Sequence, residues 1–151
     1  MSADKRVSVN AQMEQGFTVR ADIRGHQVVI DQPEAARGQN EGPTPLEYFL
    51  FSLGGCICTI GRIAAMQQKI ELRGMKVTVE GDYNPAGLLG KPSEDRTGFQ
   101  HIQVSAEIDA DMSDDEKKVF LDAVCERCPL HDNIKLETRV THHLMEPSCI
   151  A

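Results

Sequence analysis

A chain of 151 residues is long enough to bury one hydrophobic core, and we expect a single domain that spans residues 1–151. Its 16 basic and 23 acidic side chains give a formal charge of −7, which argues against nucleic acid and anionic membrane surfaces as partners. The amino terminus lacks the apolar segment of a signal peptide, and three glycines, an arginine and a glutamate interrupt the longest apolar run, residues 46–65. We therefore predict a soluble, cytoplasmic protein that neither binds nucleic acid nor enters a membrane.

Three segments near the amino terminus alternate apolar and polar residues, which is the pattern of half-buried strands. They cover residues 6–13, 17–23 and 28–30, and Gly16 and Gly25 lie where turns would connect them. The pattern predicts an antiparallel meander of three strands. Residues 32–43 follow; they are rich in glycine, proline and charge and indicate an exposed loop, which contains Arg37.

A long helix is predicted after this loop, because the next residues carry the signals of a helix start. Thr44 can act as the N-cap, Pro45 suits the first helical position, and Glu47 lies three residues after Thr44 as in a capping box. The chain is then apolar on nearly all sides up to Arg62, so this helix should lie at the centre of the fold.

Three glycines lie inside this helix, at positions Gly54, Gly55 and Gly61. Each costs about 1 kcal/mol relative to alanine in a helix interior, which indicates the close approach of another backbone or of a ligand. Our first interpretation is a helix–helix contact across a dimer.

The second half of the chain contains both strand and helix patterns. Residues 75–79 and 99–109 have a period of two and flank a loop rich in glycine and proline, which predicts a long hairpin. Ser113 and Glu116 form a second capping box and begin a helix that ends near Cys128, since a residue before proline disfavours the helical conformation. Pro129 begins a short helix, and residues 136–144 alternate as a last strand. The predicted order is βββ-α-ββ-αα-β, an α+β fold.

Five cysteines in a chain without an export signal favour thiol chemistry or a metal site over a disulfide framework. Cys56 and Cys58 lie two residues apart on the predicted helix, about 200° around its axis, so they cannot both face one site. Cys56 directly follows two glycines, where the backbone is least shielded, and we interpret it as the reactive thiol. We interpret Cys58 as a packing residue, and Cys149 near the carboxyl terminus as incidental.

Cys125 and Cys128 form the motif CERC, and residues three apart on a helix share one face. The pair suits a redox couple or half of a zinc site. Zinc would require further ligands such as Cys56 or His131, and the sequence contains no second CxxC or HxxxH pair to supply them. Cys128 has the stronger redox claim, because Pro129 begins a helix directly after it and a helix N-terminus favours a thiolate.

The run GPTPLEYFLFSLGGC, which ends at Cys56, is followed about seventy residues later by the pair Cys128–Pro129. These residues, in the order βββ-α-ββ-αα-β, resemble the OsmC and organic hydroperoxide resistance (OsmC/Ohr) family, in particular its OsmC-like branch. The resemblance covers residues 16–144. It implies an intertwined homodimer in which antiparallel sheets wrap two central helices, with both active sites at the subunit interface.

The resemblance also implies a chemistry. Members of this family reduce organic hydroperoxides: a helical cysteine attacks the peroxide, becomes a sulfenic acid and is resolved by a second cysteine as an intramolecular disulfide. Cys56 matches the attacking position, and Cys128 matches the resolving one.

A thiol buried in mid-helix has its pKa raised by desolvation and needs a nearby cation to become a thiolate. In the resembled family an arginine held by a glutamate supplies this cation, and Arg37 in the loop before the helix is the match. Arg20 and Arg24 on the early strands are the alternatives. The family's glutamate commonly follows the proline directly, where this chain has Leu46, and Glu47 comes one position later. That shift turns a helical side chain by about 100°, so a pairing of Glu47 with Arg37 is left open.

The sequence supports three functions. The first is a thiol-dependent peroxidase that reduces organic hydroperoxides, uses a thiol or dithiol reductant and needs no cofactor or metal. Its catalytic residues would be Cys56, Cys128, Arg37 and Glu47. The second is a catalytically inactive OsmC-fold protein that binds a small apolar ligand at the dimer interface, and the third is a zinc-stabilised domain that uses Cys125, Cys128 and a histidine. A separation of the Cys56 and Cys128 sulfurs within roughly 4 Å would support the first.

Overall fold

The computed structural model of the chain describes residues 3–147, so Cys149 lies outside the described residues. The described chain contains strands and helices in an α+β arrangement with the predicted antiparallel meander, which confirms the predicted fold class. The elements are β1 (Gln12–Met13), β2 (Val19–Ile23), β3 (His26–Ile30), α1 (Pro45–Gln68), β4 (Gly74–Asp82), β5 (His101–Asp109), α2 (Asp114–Arg127) and α3 (Pro129–Lys135).

The described chain divides into two compact units. The first contains residues 3–54 and 78–105, and the second contains residues 55–77 and 106–147. The boundaries fall inside α1, β4 and β5, each of which contributes residues to both units. The single domain expected from the chain length stays a prediction.

The first unit contains the meander, in the strand order β1-β2-β3. The turn between β2 and β3 consists of Arg24 and Gly25, both with positive φ, as a two-residue hairpin turn requires. β1 is shorter than the predicted segment 6–13, because Gln12 and Met13 alone pair with β2 within the described chain.

α1 begins where the capping signals predict. The backbone N–H of Thr44 donates to the Glu47 carboxylate at 2.8 Å, and the N–H of Glu47 donates to the Thr44 hydroxyl at 3.2 Å. This reciprocal pair is the predicted capping box. By length and composition α1 could also cross a membrane, with a mean hydropathy of 1.7 over 18 residues, but the core helix of a soluble protein passes the same test.

β4 and β5 form the predicted hairpin as a two-stranded sheet. In the first unit the N–H of Gln100, just before β5, donates to the carbonyl of Asp82 at the end of β4. In the second unit the N–H of Arg73, just before β4, donates to the carbonyl of Asp109 at the end of β5. The start of each strand therefore pairs with the end of the other, so the sheet is antiparallel.

The second unit buries apolar side chains from the carboxyl-terminal half of α1, from α2, and from residues just before β4 and at the end of β5. Its buried side chains are those of Ile57, Ala64, Ala65, Leu72, Ile108, Ala110, Phe120, Val124 and Cys128. Gly61 of α1 faces this interior, since a Cβ atom added there would lie 2.9 Å from the Met75 sulfur. At least one helical glycine thus accommodates a side chain of the same unit.

α2 also begins as predicted, because the Ser113 hydroxyl accepts the backbone N–H of Glu116 at 3.2 Å. The helix ends before Cys128, whose φ of −81° and ψ of 117° are extended, as expected for a residue that precedes proline. Pro129 then occupies the first position of α3. The break between the two helices therefore lies at Cys128.

The last strand predicted at residues 136–144 does not form in the described chain. Leu136, Val140 and Leu144 are exposed there. A strand needs a partner for its backbone N–H and C=O groups, and no described strand pairs with this segment. The alternating pattern indicates a strand but carries no information about where its partner lies.

Candidate active site

Cys56 and Cys128 lie together in the second unit, with their sulfur atoms 2.8 Å apart. Both thiols are free, and a disulfide between them would need an approach to about 2.05 Å. Cys56 is half-buried on α1, whereas Cys128 is only 1% exposed. The separation is within the roughly 4 Å expected of a pair that can form a disulfide.

Cys128 is held by the break between α2 and α3. Its sulfur accepts the backbone N–H of His131 at 3.4 Å and thereby caps α3. Its own N–H donates to the carbonyl of Cys125 at 3.1 Å, which closes the last turn of α2. The Cys128 backbone is therefore held by α2 and its side chain by α3, and Pro129 is the residue that creates this junction.

The pKa of the Cys56 thiol is raised to about 11, first by burial and then by its interaction with the Cys128 side chain. The backbone N–H of Leu130, in the first turn of α3, acts in the opposite direction. No basic side chain in the described residues of the second unit contributes to this pKa. Cys56 is therefore a protonated thiol at neutral pH unless a cation from elsewhere reaches it.

Cys125 is half-buried and lies in the last turn of α2. Its pKa is raised, first by burial and then by the charges of Cys128, Asp122 and Glu126, while Lys118 opposes the shift. Among residues 3–147 no three His, Cys, Asp or Glu side chains are grouped so that they could hold a metal ion.

Arg37 lies in the loop between β3 and α1, at the end of a short 3-10 turn, with a left-handed φ of 70°. Its side chain is exposed and forms no ion pair within the first unit as described. Among the alternative cations, Arg20 pairs with Glu41 at 2.8 Å, and Arg24 lies in the β2–β3 turn.

Asp31 fixes the loop that carries Arg37, and sequence reasoning missed it. Its carboxylate is fully buried and accepts hydrogen bonds from the Thr18 hydroxyl and from the backbone N–H groups of Gln32, Gln39 and Glu41. Burial alone would raise the pKa of Asp31, but these hydrogen bonds lower it overall. The only sequence signal is an aspartate at a strand–loop boundary, where this residue often bonds nearby N–H groups.

Glu47 lies on the first turn of α1 and is exposed. Its hydrogen bonds with Thr44, from the backbone first and the side chain second, lower the pKa of the Glu47 carboxyl. The structure thus places Glu47 in the capping box, and a catalytic role for it stays a prediction.

A protein-family model described as OsmC-like protein matches residues 38–143, which is more than half of the chain. The chain belongs to the OsmC-like family. The family membership predicted from the Cys56 and Cys128 motifs is therefore confirmed.

Named relatives and solved structures agree with this membership. The OsmC-like chain is 26% identical over 144 residues to a hydroperoxide reductase of Mycoplasma genitalium, covering 91% of this chain and 97% of the relative. It is 24% identical over 132 residues to a hydroperoxide reductase of Mycoplasma pneumoniae, covering 87% and 89%.

Two solved structures share the fold. An OsmC-like protein from Mycoplasma pneumoniae has a TM-score of 0.76 and 24% identity, with coverage of 88% of this chain and 89% of that one. An organic hydroperoxide resistance protein from Legionella pneumophila has a TM-score of 0.67 and 20% identity, with coverage of 89% and 92%. At these identities the structures establish the OsmC-like fold alone.

Proposed function

We propose that this OsmC-like protein is a thiol-dependent peroxidase that reduces organic hydroperoxides, with Cys56 as the attacking thiol and Cys128 as the resolving thiol. The observation that carries the proposal is the 2.8 Å separation of the two sulfur atoms. The relatives named hydroperoxide reductase support a role in peroxide detoxification.

The reaction has three steps. The Cys56 thiolate attacks the terminal peroxide oxygen, the O–O bond breaks, and the organic part leaves as an alcohol while Cys56 becomes a sulfenic acid. The Cys128 sulfur attacks the Cys56 sulfur, water leaves, and a disulfide forms. An external thiol or dithiol then supplies two electrons and two protons and restores both thiols.

The first step requires a cation near Cys56. At pH 7 a thiol with a pKa of about 11 is present as thiolate in only about one part in 10⁴. The proposal assigns this cation to Arg37, which has no ion-pair partner within the first unit as described. The Glu47 carboxylate accepts the Thr44 N–H through Oε1, and a carboxylate has a second oxygen that can pair with an arginine while this bond is kept.

We further propose that the protein is a cytoplasmic homodimer. Large apolar side chains on α1 are exposed in the single chain, among them Phe51 and Met66. So are the apolar residues of segment 136–144, which has no strand partner in the described chain. Solvent exposure of this kind is unfavourable, and a second copy would cover it.

The alternative function is a catalytically inactive OsmC-fold protein that binds a small apolar ligand at the dimer interface. Two observations favour it: the raised pKa of Cys56 and the presence of Leu46 where the family's glutamate is expected. The two functions differ in whether the protein consumes peroxide.

Stopped-flow kinetics with a bulky alkyl hydroperoxide and no reductant test the proposal. The wild-type protein is expected to consume one equivalent per subunit in the rapid phase, with loss of two titratable thiols. Cys56→Ser should abolish this phase, because it removes the attacking sulfur, while the control Cys58→Ser should retain it. An unchanged rate in Cys56→Ser would exclude the proposed mechanism, and no consumption by the wild type would favour the binding protein.

A further inference from the structure

Three thiols, those of Cys56, Cys125 and Cys128, are arranged around Cys128, and the peroxidase proposal uses only two. The Cys128 sulfur lies 2.8 Å from that of Cys56, and its backbone N–H is bonded to the carbonyl of Cys125 at 3.1 Å. Cys128 thus has one possible disulfide partner on α1 and another one turn away on α2.

The three sulfur atoms differ in their access to solvent. Cys128 is 1% exposed, whereas Cys56 and Cys125 are both half-buried. In a Cys56–Cys128 disulfide, an external thiol would have little access to the Cys128 sulfur. A thiol that is already inside the unit, such as that of Cys125, has no such barrier.

The geometry of the CERC turn permits a disulfide after a small adjustment. Side chains three residues apart on a helix have Cβ atoms about 5–6 Å apart, whereas a disulfide needs about 3.5–4.5 Å. Cys128 is not part of a continuous helix, since its extended ψ of 117° marks the junction between α2 and α3. The adjustment therefore falls where the continuous helix α2 has ended and the Cys128 N–H bonds to the carbonyl of Cys125, three residues back.

We propose that Cys125 and Cys128 form a second disulfide, which takes over the oxidation from the Cys56–Cys128 disulfide by internal exchange. This inference rests on the proposed function, which supplies the first disulfide. The Cys125 thiolate attacks the Cys128 sulfur, the bond between Cys125 and Cys128 forms, and the bond between Cys56 and Cys128 breaks. Cys56 leaves as a thiolate and takes up one proton from solvent, and Cys125 has lost one proton to solvent, so the protons balance. One disulfide replaces another, so no oxidant or reductant is needed.

The exchange has a measurable consequence, because it returns Cys56 to the thiol form while the subunit is still oxidised. The freed Cys56 can then attack a second peroxide molecule. Burial raises the pKa of Cys125, so its thiolate is scarce and the exchange is slower than the first disulfide formation. The wild type should therefore consume a second, slower equivalent of hydroperoxide, and Cys125→Ser should not.

Disulfide mapping of the full chain identifies the partner of Cys128 directly. Trypsin cleaves after Arg127, so Cys125 lies in the peptide 119–127 and Cys128 in the peptide 128–135. Cys56 shares the peptide 38–62 with Cys58, so Cys58→Ser is the background in which the Cys56 linkage is unambiguous. The protein is treated with one equivalent of an alkyl hydroperoxide, quenched with acid at successive times, alkylated, digested and analysed by mass spectrometry.

The expected result is that the 38–62/128–135 linkage appears first and declines as the 119–127/128–135 linkage rises, at a constant total of disulfide. In Cys125→Ser only the first linkage should form, and it should persist. A Cys56–Cys128 disulfide that stays the sole product in the Cys58→Ser protein would overturn the inference while leaving the peroxidase proposal intact.

If the hydroperoxide leaves all thiols reduced, the peroxidase proposal fails and the exchange is tested separately. The thiol oxidant diamide then forms the first disulfide, and its excess is removed before the time course. Conversion of the 38–62/128–135 linkage into the 119–127/128–135 linkage supports the exchange. A 38–62/128–135 linkage that does not change with time contradicts it.

Discussion

Cys56 and Cys128 are close enough to react with each other, yet Cys56 is held in its protonated form. The cause is burial in the second unit, with no basic side chain of its described residues acting on the thiol. A thiolate predominates only above the pKa of its thiol, so with a pKa of about 11 the Cys56 thiolate is the major form only in alkaline solution. The proposed mechanism therefore relies on a charge from outside this unit.

The pH dependence of Cys56 alkylation tests whether Arg37 supplies that charge. A cation lowers a thiol pKa, so Arg37→Gln should move the midpoint of the pH profile upwards, towards about 11. At neutral pH the alkylation rate by iodoacetamide should fall by about 10- to 100-fold, which corresponds to a shift of about one to two pH units. The rate is measured in the Cys58→Ser background on the tryptic peptide that contains Cys56. This peptide is 38–62 when Arg37 is present and 25–62 in Arg37→Gln, which has no cleavage site at position 37.

Arg24→Gln is the matched control, since Arg24 lies in the β2–β3 turn. It should leave the pH profile of Cys56 unchanged. A profile that moves with Arg24→Gln or Arg20→Gln, and not with Arg37→Gln, would assign the cation to one of the early strands instead.

Among single residues, the sequence pointed clearly to Cys56 and Cys128 but only weakly to Asp31. Cys56 and Cys128 could be selected because glycines precede one and a proline follows the other, and both are local signals. Asp31 bonds to N–H groups up to ten residues away, at Glu41. A carboxylate that organises a loop through such contacts leaves no periodic pattern in the sequence.

The helices begin and end where local chemistry dictates. The predicted capping box is present at Thr44–Glu47. At the start of α2 the predicted N-cap Ser113 accepts the N–H of Glu116, and its hydroxyl donates to the Glu116 carboxylate. Such signals act within four residues and can be read without knowledge of the fold. The prediction of a last strand at residues 136–144 was wrong for the described chain because a strand depends on a partner. The alternating pattern does not show where that partner lies.

The glycines of α1 allow a test of what surrounds this helix. A Cβ atom added at Gly55 would meet nothing within 4 Å, whereas one added at Gly61 would lie 2.9 Å from the Met75 sulfur. Alanine is favoured over glycine in helices by about 1 kcal/mol, so Gly55→Ala should raise the free energy of unfolding by up to about that amount. Gly61→Ala should gain less, because the Met75 side chain must move.

Thermal unfolding of both variants at equal protein concentration gives the comparison. Gly61→Ala is the control, because it brings the same gain in helix propensity at a position whose neighbour, the Met75 side chain, is known. If Gly55→Ala instead destabilises the protein, the space beside Gly55 is occupied by a partner, as the helix–helix contact across a dimer predicts.

At the scale of the whole molecule, the proposal that is tested is the homodimer. The proposed homodimer should have twice the chain mass of 16.7 kDa. Val140 is 71% exposed in the single chain, so a charge there costs little in a monomer. If a partner covers segment 136–144, Val140→Asp buries a charge and should weaken dimerisation by about tenfold or more.

Size-exclusion chromatography with light scattering over a dilution series measures this effect. The control is Arg139→Asp, which places the same side chain at the neighbouring exposed position. A wild-type mass of one chain at all concentrations would contradict the dimer. Equal dissociation of the two variants would show that segment 136–144 is not selectively covered at Val140.

Asp31 has a consequence for how Arg37 would meet a substrate. Its hydrogen bonds to Gln32, Gln39 and Glu41 close the loop on itself, so the backbone around Arg37 is ordered once the chain has folded. The loss of conformational entropy then belongs to folding and is not repeated at each encounter with a ligand. The loop backbone is in this sense preorganised, so that only the Arg37 side chain would lose conformational freedom when a ligand binds.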